Sequence, residues 1–598
     1  MTSRALPLTA AAALAVAATA LAVAAPGPAA ALGPPPGASS VPLTLAAGTG
    51  AAPFDTPRTV TVPPGWTAEV WARVSGARMA VWTPAGDLLV SNPGAGTVTR
   101  LHPASDPAAA PAVSTVLAGL DQPHGLAVDG STLLVAQSTR VDRYPLTGAT
   151  TGAPTPVVTG LPDSKSPELH GQYAHALKSV AVGPDRTIYV TVGSTGNTSP
   201  EDLTATPPRA AVLAVNPDGT GLRRFATGVR NGEGLSFDPD GALWTAVNNR
   251  DNIAVPAGEP QAGQVVQAYV NDHPTEELAR LTPGRDLGWP YCNPNPDVSA
   301  DWTTSALHYD ALRYQRDEQQ NADGGKLDCS ALTPIERGIP AHSAPLGLSF
   351  LTGSRLPATW AAGAVVGIHG SWNRTPPRAP ELAWFPWDVA RHTLGEQVTL
   401  LGGFQLSDGS RWGRVVDAVP GPDGALYVTD DTAGAVYRLV PPAAPAAPAG
   451  VSVPGAGSAA GTAAPGTAAA GTTAAAARAA LVAATAGAPG TGRRWGVTLR
   501  TRPRQALVLT GTLTRLTGRG CPAAVPASTA HLAAGCRVST TRLPAVVHAD
   551  AAGHARAVLP ASVRGASCWA LRLAVRPAPG PASHTLVFTA DTRRPRLH

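Results

Sequence analysis

The side chains best suited to chemistry stand where predicted strands begin. His175 precedes the Gly183 turn by eight residues, at the inner end of a predicted strand, where a side chain can reach the mouth of a central channel. Imidazole titrates near neutral pH, so it suits the removal of a hydroxyl proton. His170, close by, competes for that role. Arg230-Asn231 opens the next strand, Arg374 lies in HGSWNR, Arg414 stands just before VVDAVPGPDG, and Lys178 follows His175 by three residues. Gathered at one mouth, these cations would make it strongly positive. Trp372 and His342 are ring-bearing candidates for its walls. The plainer alternatives are a structural surface histidine, a strand-end arginine paired with an acid, and a tryptophan that only packs.

The elements that must position these residues come from a strand cassette that recurs six times between residues 83 and 440. It is clearest as GPDRTIYVTVGSTGN (183–197), DPDGALWTAVNNRDN (238–252) and GPDGALYVTDDTAG (421–434). Weaker copies are TPAGDLLVSNPGAG (83–96), VDGSTLLVAQST (128–139) and AGAVVGIHGSW (362–372). Each reads as an apolar strand, a Pro-Asp-Gly type turn, a second alternating strand and a polar loop. One such sheet cannot bury both faces alone, so the copies must pack around a common axis. The fold class is all-β: a six-bladed β-propeller over residues 58–440, with the double-width gap between Trp244 and Val365 read as inserted loops. The segment TAEVWARVSG, ahead of the first cassette, could supply the strand that closes the last blade.

With the cassettes placed, the chain resembles the glucose/sorbosone dehydrogenase family. The resemblance rests on six ordered segments: HALKSVAVGPDRTIYVTVGSTGN from His175, GVRNGEGLSFDPDGALWTAVNNRDN from Gly228, GRDLGWPYC (284–292), AHSAPLGLSF (341–350), HGSWNR (369–374) and GRVVDAVPGPDGALYVTDD (413–431). That family implies an exported propeller that uses pyrroloquinoline quinone (PQQ) and calcium to oxidise a sugar, sugar aldehyde or polyol. It would make His175 the general base and set Arg230 and Asn231 at the reacting quinone carbonyl, where negative charge grows. Arg414, Arg374 and Lys178 would hold cofactor carboxylates, with Trp372 as a wall. The backbone carbonyls of Asn249 and Arg250 would hold calcium, hard oxygens of the kind that ion takes, and Asp251 could add a carboxylate. The sequence departs from the family at Ala174, where glucose-oxidising members carry an acid, and at Lys178, where sorbosone-type members carry Arg. The family's early glutamine has no clear equivalent, though Gln122 or His124 could serve. Trp289, in the Gly-Trp-Pro of the long insertion, is expected to pack a loop over the sheet.

Composition sets the remaining bounds. Residues 1–31 read as a secretory signal peptide, with small-residue cleavage sites after Ala24 or Ala31. The protein is therefore expected to be secreted, extracellular or associated with the cell envelope. Residues 32–57 are a flexible lead-in and 441–490 an Ala/Pro/Gly-rich linker, helical at most over Ala474–Ala484. Residues 491–598 read as a small, basic, β-sandwich-like domain with 16 Arg, no Lys and only Asp550 and Asp591, a net +14; the rest of the chain carries 29 basic against 38 acidic side chains, a net −9. That basic domain could hold an anionic cell-envelope polymer, and it lacks the aromatic pattern of a nucleic-acid binder. Cys292 and Cys329 should pair within the long insertion, leaving Cys521, Cys536 and Cys568 in the tail. The sequence holds no Cys-x-x-Cys-His haem site, so a dehydrogenase would need an external electron acceptor. Two other readings stand beside it: a calcium-dependent lactone hydrolase, and a non-catalytic propeller that binds carbohydrate or envelope.

Overall fold

A computed structural model of the chain describes residues 37–442, apart from Ala149, and eight strands between residues 481 and 597. The expected signal peptide and most of the linker lie outside the described residues. The chain divides into two units, 1–448 and 449–598.

Six sheets of four or five strands, antiparallel apart from a short parallel edge pair in two of them, form the blades of the first unit, beside two two-stranded sheets. Each cassette becomes the inner hairpin of one blade, because its turn chemistry and its alternation agree. In blade 4, Gly232–Phe237 pairs with Leu243–Val247. Asp238 accepts from the amides of Asp240 and Ala242 and from the Trp244 indole, which fixes the turn between them. The inner strands of blades 1 to 6 are Ala80–Trp82, Leu126–Asp129, Val180–Val182, Gly232–Phe237, Pro345–Phe350 and Val415–Pro420. They surround a channel of about 290 Å³. Their close approach needs glycine: a Cβ on Gly125 would lie 2.6 Å from the Ser179 backbone of the neighbouring blade.

Blade 6 is closed by the N-terminal strand Thr67–Arg73, which pairs with Ala435–Val440, as the sequence led us to expect. Trp71, fully buried, packs edge-on against Tyr427, which meets Trp82 of blade 1 in the same way. Such seams between blades form the apolar core, where each fully buried Leu or Val contributes about 1.5–3 kcal/mol. The excess length between Trp244 and Val365 does lie in insertions. Blade 4 continues through Glu276–Leu281 and Ile335–Ile339, with insertions at 248–275 and 282–334, the second of which returns Asp310–Leu312 as the blade's fifth strand. Cys292 and Cys329 are disulfide-bonded across the second insertion, Cα atoms 5.6 Å apart.

Two expectations need correction. The lead-in is tied down rather than loose: Ser39–Pro42 pairs with Thr59–Val62, and Phe54 is buried against Trp412 and Tyr437. Its few apolar side chains find the open flank of the closing blade, which repays the entropy of ordering them. Of the possible helix at Ala474–Ala484, residues 474–480 lie outside the described residues, and the rest falls in a strand, Leu481–Gly487, whose pairing with Trp495–Thr501 supplies hydrogen bonds that an isolated short helix would lack.

The second unit has a three-stranded sheet of Leu481–Gly487, Trp495–Thr501 and His554–Leu559. A five-stranded sheet is centred on Ala506–Gly518 and Cys568–Ala578. Cys536 pairs with Gly518 and Cys568 with Leu516, on opposite flanks of one strand. Two strand spacings, roughly 9–10 Å, separate them, beyond the reach of a disulfide. Cys521 lies outside the described residues.

Candidate functional site at the channel mouth

The chemistry-bearing side chains gather at the end of the channel where the inner strands begin. A register explains why. Arg78, His124, Lys178, Arg230 and Ser343 each stand two residues ahead of an inner strand, and Arg414 stands one ahead. The backbone there leaves the sheet, so these positions ring the mouth.

His175 is half-buried, on the loop that enters blade 3. Its Nδ1 lies 3.0 Å from the Ser194 carbonyl and 2.9 Å from Ser194 Oγ, and that hydroxyl donates to Gly196 O. Both Nδ1 partners therefore act as acceptors, which places the imidazole proton on Nδ1 and leaves the Nε2 lone pair free. Burial, helped by the nearby Arg230 charge, lowers its pKa to about 4. A neutral base at pH 7 results. The rival His170 is exposed and makes no side-chain hydrogen bond among the described residues.

Arg230 is buried and held on every side. It donates to Asn248 O at 3.1 Å, Asn197 O at 3.3 Å and Asn197 Oδ1 at 3.0 Å, and it meets Asp251 at 3.4 Å. Asp251 also faces His342 at 3.5 Å and the Asn373 amide at 3.4 Å. Burial pushes the Asp251 carboxyl upward, but His342 and Arg230 outweigh it and hold it below the usual range. Asn231 donates to Glu233 Oε1 at 3.3 Å.

Glu233 anchors a network that sequence reasoning missed. Arg78 of blade 1 reaches across the mouth to Glu233 of blade 4 at 2.8 Å, and its other Nη bonds Asp431 at 2.9 Å. Blades 1 and 4 face each other across a six-bladed ring, so this guanidinium is a strut over the channel. His124, fully buried, packs between Arg78 (3.2 Å) and Glu233 (3.4 Å), and His369 meets Asp431 at 2.9 Å. Burial opposes ionisation of Glu233 and Asp431. For Glu233 the Arg78 and His124 partners prevail, for Asp431 His369 and Arg78, and both carboxyls sit far below the usual range. Only His124 had been noticed as a candidate here; the repeated position two residues before each inner strand is the signal that would have found Arg78.

Arg414 and Arg411 differ from the other cations. Arg414 donates to the His369 and Gly370 carbonyls, and Arg411 to Gln405 Oε1 and the Ser371 carbonyl. Neither has a carboxylate partner among the described residues; burial lowers the pKa of both, and for Arg414 the nearby Arg411 charge adds to it. Uncompensated guanidinium charge at a mouth, with the buried Arg78 Nε lacking any partner, is the signature of an anion site. The carbonyl oxygens of Asn249 and Arg250 likewise accept no hydrogen bond among the described residues. Their side chains turn inward, Asn249 to Glu277 at 2.9 Å and Arg250 to Asp317 at 2.5 Å.

Three anticipated cofactor contacts go elsewhere. Lys178 is 1% exposed, and its ammonium donates to the Pro162 and Ala176 carbonyls, both at 2.8 Å, because the loop carrying His175 folds over it. Burial lowers its pKa to about 7. Arg374 pairs with Asp272 at 3.0 Å in the first insertion of blade 4. Trp372 is 74% exposed and walls nothing, since its neighbours Ser371 and Asn373 are the buried members of that turn. Gln122 Oε1 accepts from Ser138. Trp289 packs as expected, its indole donating to Asn197 O at 3.0 Å.

The TrAA12-like family model matches residues 60–440. A solved calcium structure of a family AA12 carbohydrate-active enzyme from Trichoderma reesei is 20% identical, with a TM-score of 0.53 over 64% of this chain and 96% of that one. The holo form of the pyranose dehydrogenase PQQ domain from Coprinopsis cinerea is 19% identical, with a TM-score of 0.53 over 67% and 100%. At these identities the likeness is one of fold. A curated protein of Borreliella burgdorferi, described as uncharacterized, is 36% identical over 101 residues, which is 17% of this chain and 27% of that protein. The chain thus spans about a quarter of the length of the curated relative it matches.

Proposed function

We infer the activity from the premise that the chain belongs to the TrAA12-like family of PQQ-dependent, sugar-dehydrogenase-like propellers. The channel mouth oxidises a sugar, sugar aldehyde or polyol, with PQQ and calcium as cofactors and an external electron acceptor. One observation carries this reading: a neutral imidazole with a free Nε2 shares a mouth with two guanidinium groups, Arg411 and Arg414, that pair with no carboxylate among the described residues.

Bound there, PQQ supplies the carbon that accepts the substrate's hydride, with calcium as Lewis acid. His175 Nε2 takes the substrate hydroxyl proton, so proton and hydride leave together and the C–O bond gains an order. The Nδ1 bond to Ser194 keeps the ring aimed during that transfer and stabilises the imidazolium that forms. Arg411 and Arg414 would hold cofactor carboxylates. Arg230, fixed by Asn197 and Asn248, would set positive charge against the carbonyl that becomes anionic. The carbonyls of Asn249 and Arg250 would hold the calcium.

The lactone-hydrolase alternative requires free carboxylates around one metal. Glu233, Asp251 and Asp431 are each bound to Arg or His instead, which disfavours it. We also propose that the protein is exported, and that the basic tail meets an anionic envelope polymer. Titrating the cofactor-free protein with PQQ and calcium, then adding aldoses and sorbosone, tests the enzymatic reading. A cofactor absorption band that bleaches with sugar, and fails to bleach in His175→Ala, supports it. Failure to bind PQQ at micromolar concentration returns the chain to the lactonase and binding-module readings.

A further inference from the structure

We propose that the groove between the two insertions of blade 4 is a saccharide-binding subsite separate from the channel mouth. The groove holds about 360 Å³, enough for a sugar ring, and is lined by Glu259, Asn295, Asp297, Gln315, Arg316 and Glu318. Glu259 and Glu318 belong to different insertions, and each uses one carboxylate oxygen on a backbone amide, Trp302 N and Ala257 N respectively. The other oxygen of each has no hydrogen-bond partner among the described residues.

The acids alone would be an ordinary solvated cluster. What marks a ligand is Asp297, whose side chain is 0% exposed and whose Oδ1 has no partner, although the residue lines the groove. A buried, unpaired carboxylate oxygen costs stability unless something donates to it. Gln315 Oε1 lines the same groove and is unpaired as well. Both acceptors are locked from behind by one buried chain of contacts. Gln315 Nε2 meets Tyr269 Oη at 2.7 Å, Tyr269 stacks on His273 at 3.9 Å, and His273 Nε2 bonds Asp297 Oδ2 at 2.9 Å. Asn295 Oδ1 meanwhile accepts from the Asp297 amide. The disulfide Cys292–Cys329 closes the loop that carries this wall.

The lining is thus rich in acceptors and poor in donors, with Arg316 the lone cation among the residues named. A polyhydroxyl ligand meets that lining, since vicinal hydroxyls donate to carboxylate and amide oxygens together. A single metal ion meets it less well: among the described residues no three His, Cys, Asp or Glu side chains converge closely enough to hold one. The acceptors are spread along the groove, as a ring with several hydroxyls requires. This subsite does not depend on the dehydrogenase reading.

The test is calorimetry and ligand-observed NMR on the full chain without PQQ, using 1,5-anhydroglucitol and methyl β-glucoside, which lack a free anomeric hydroxyl. We expect saturable binding that weakens at least tenfold, about 1.4 kcal/mol, in Asp297→Asn and in Glu318→Ala, and that persists in His175→Ala. Glu318→Ala removes a surface acceptor, so it reports on the site even if Asp297→Asn disturbs the fold. The proposal is overturned if the wild type shows no saturable binding, if His175→Ala abolishes binding while Glu318→Ala leaves it intact, or if calcium or methylammonium saturates the groove and the sugars do not.

Discussion

Replacing Arg78 with Met should destabilise the propeller out of proportion to its one side chain. Arg78 and Glu233 are 11% and 9% exposed and 2.8 Å apart, across the channel from one another. At an effective dielectric of about 20 their attraction is about 6 kcal/mol before desolvation is subtracted. Removing one partner of such a pair leaves the other charge buried, at a cost of about 3–5 kcal/mol. In Arg78→Met, Glu233 keeps only His124 and Asn231, and Asp431 keeps His369. In Glu233→Gln the guanidinium retains Asp431, so that single change should cost less. The double variant should recover part of the loss, with a coupling energy of about 2 kcal/mol. Denaturant unfolding of the four proteins, followed by near-UV circular dichroism, measures the cycle. The pH dependence gives a second reading. Glu233 is held below its unfolded pKa, so its contribution is fully present above about pH 4–5 and is lost on acidification through its folded value. Arg78→Met should flatten that acid limb. Additive single costs, with a coupling near zero and an unchanged acid limb, would refute the strut.

His175→Ala should lower kcat by about 10²–10⁴ while PQQ affinity holds. In the wild type the acid limb of kcat/KM should rise through pH 4 rather than pH 6.5, because the pKa of about 4 keeps the imidazole neutral; a limb near 6.5 would contradict the burial argument. Arg411→Met and Arg414→Met should each weaken PQQ binding roughly tenfold or more, the loss of one charge-assisted contact, as read by absorption titration. Chelating calcium should weaken PQQ binding in the wild type; unchanged affinity in excess chelator would remove Asn249 and Arg250 from the site. Opening the Cys292–Cys329 loop, a sequence separation of 37, should cost about 3–4 kcal/mol by chain entropy. The loss should appear as earlier proteolysis within residues 282–334.

The propeller was legible because its signal repeats. A turn such as Asp238 to Gly241 recurs with alternating strands on either side, so local preference and long-range packing point to one answer. That His175 and Arg230 would stand at the channel mouth was legible from where they fall relative to those strands. Lys178 and Arg374 were misread because a sequence shows a charge but not its partner. The Pro162 and Ala176 carbonyls that take up Lys178 come from a loop with no pattern, and Asp272 lies in an insertion far from Arg374 in sequence. Glu233 and Asp431 stayed hidden for the opposite reason: an acid inside an apolar strand segment or beside another acid looks solvated until the Arg from another blade is placed on it. The lead-in was misjudged on composition, since Pro, Gly and Ala say little about whether one Phe54 finds a pocket.

The strand that closes blade 6 also dictates when this protein can exist at all during synthesis. Glu69 meets Arg438 across a separation of 369 residues, and the ring has no closed form until both are made. At about 5–20 residues per second a growing chain waits roughly twenty to seventy seconds between the first strand and its partner. Through that interval Thr67–Arg73 waits without its partner strand and blade 1 exposes the apolar face that meets blade 6, an unpaired strand and a bare face that both invite aggregation. A stop codon or a protease cut before Ala435 would leave that exposure permanent, so damaged or truncated chains should be insoluble rather than merely inactive.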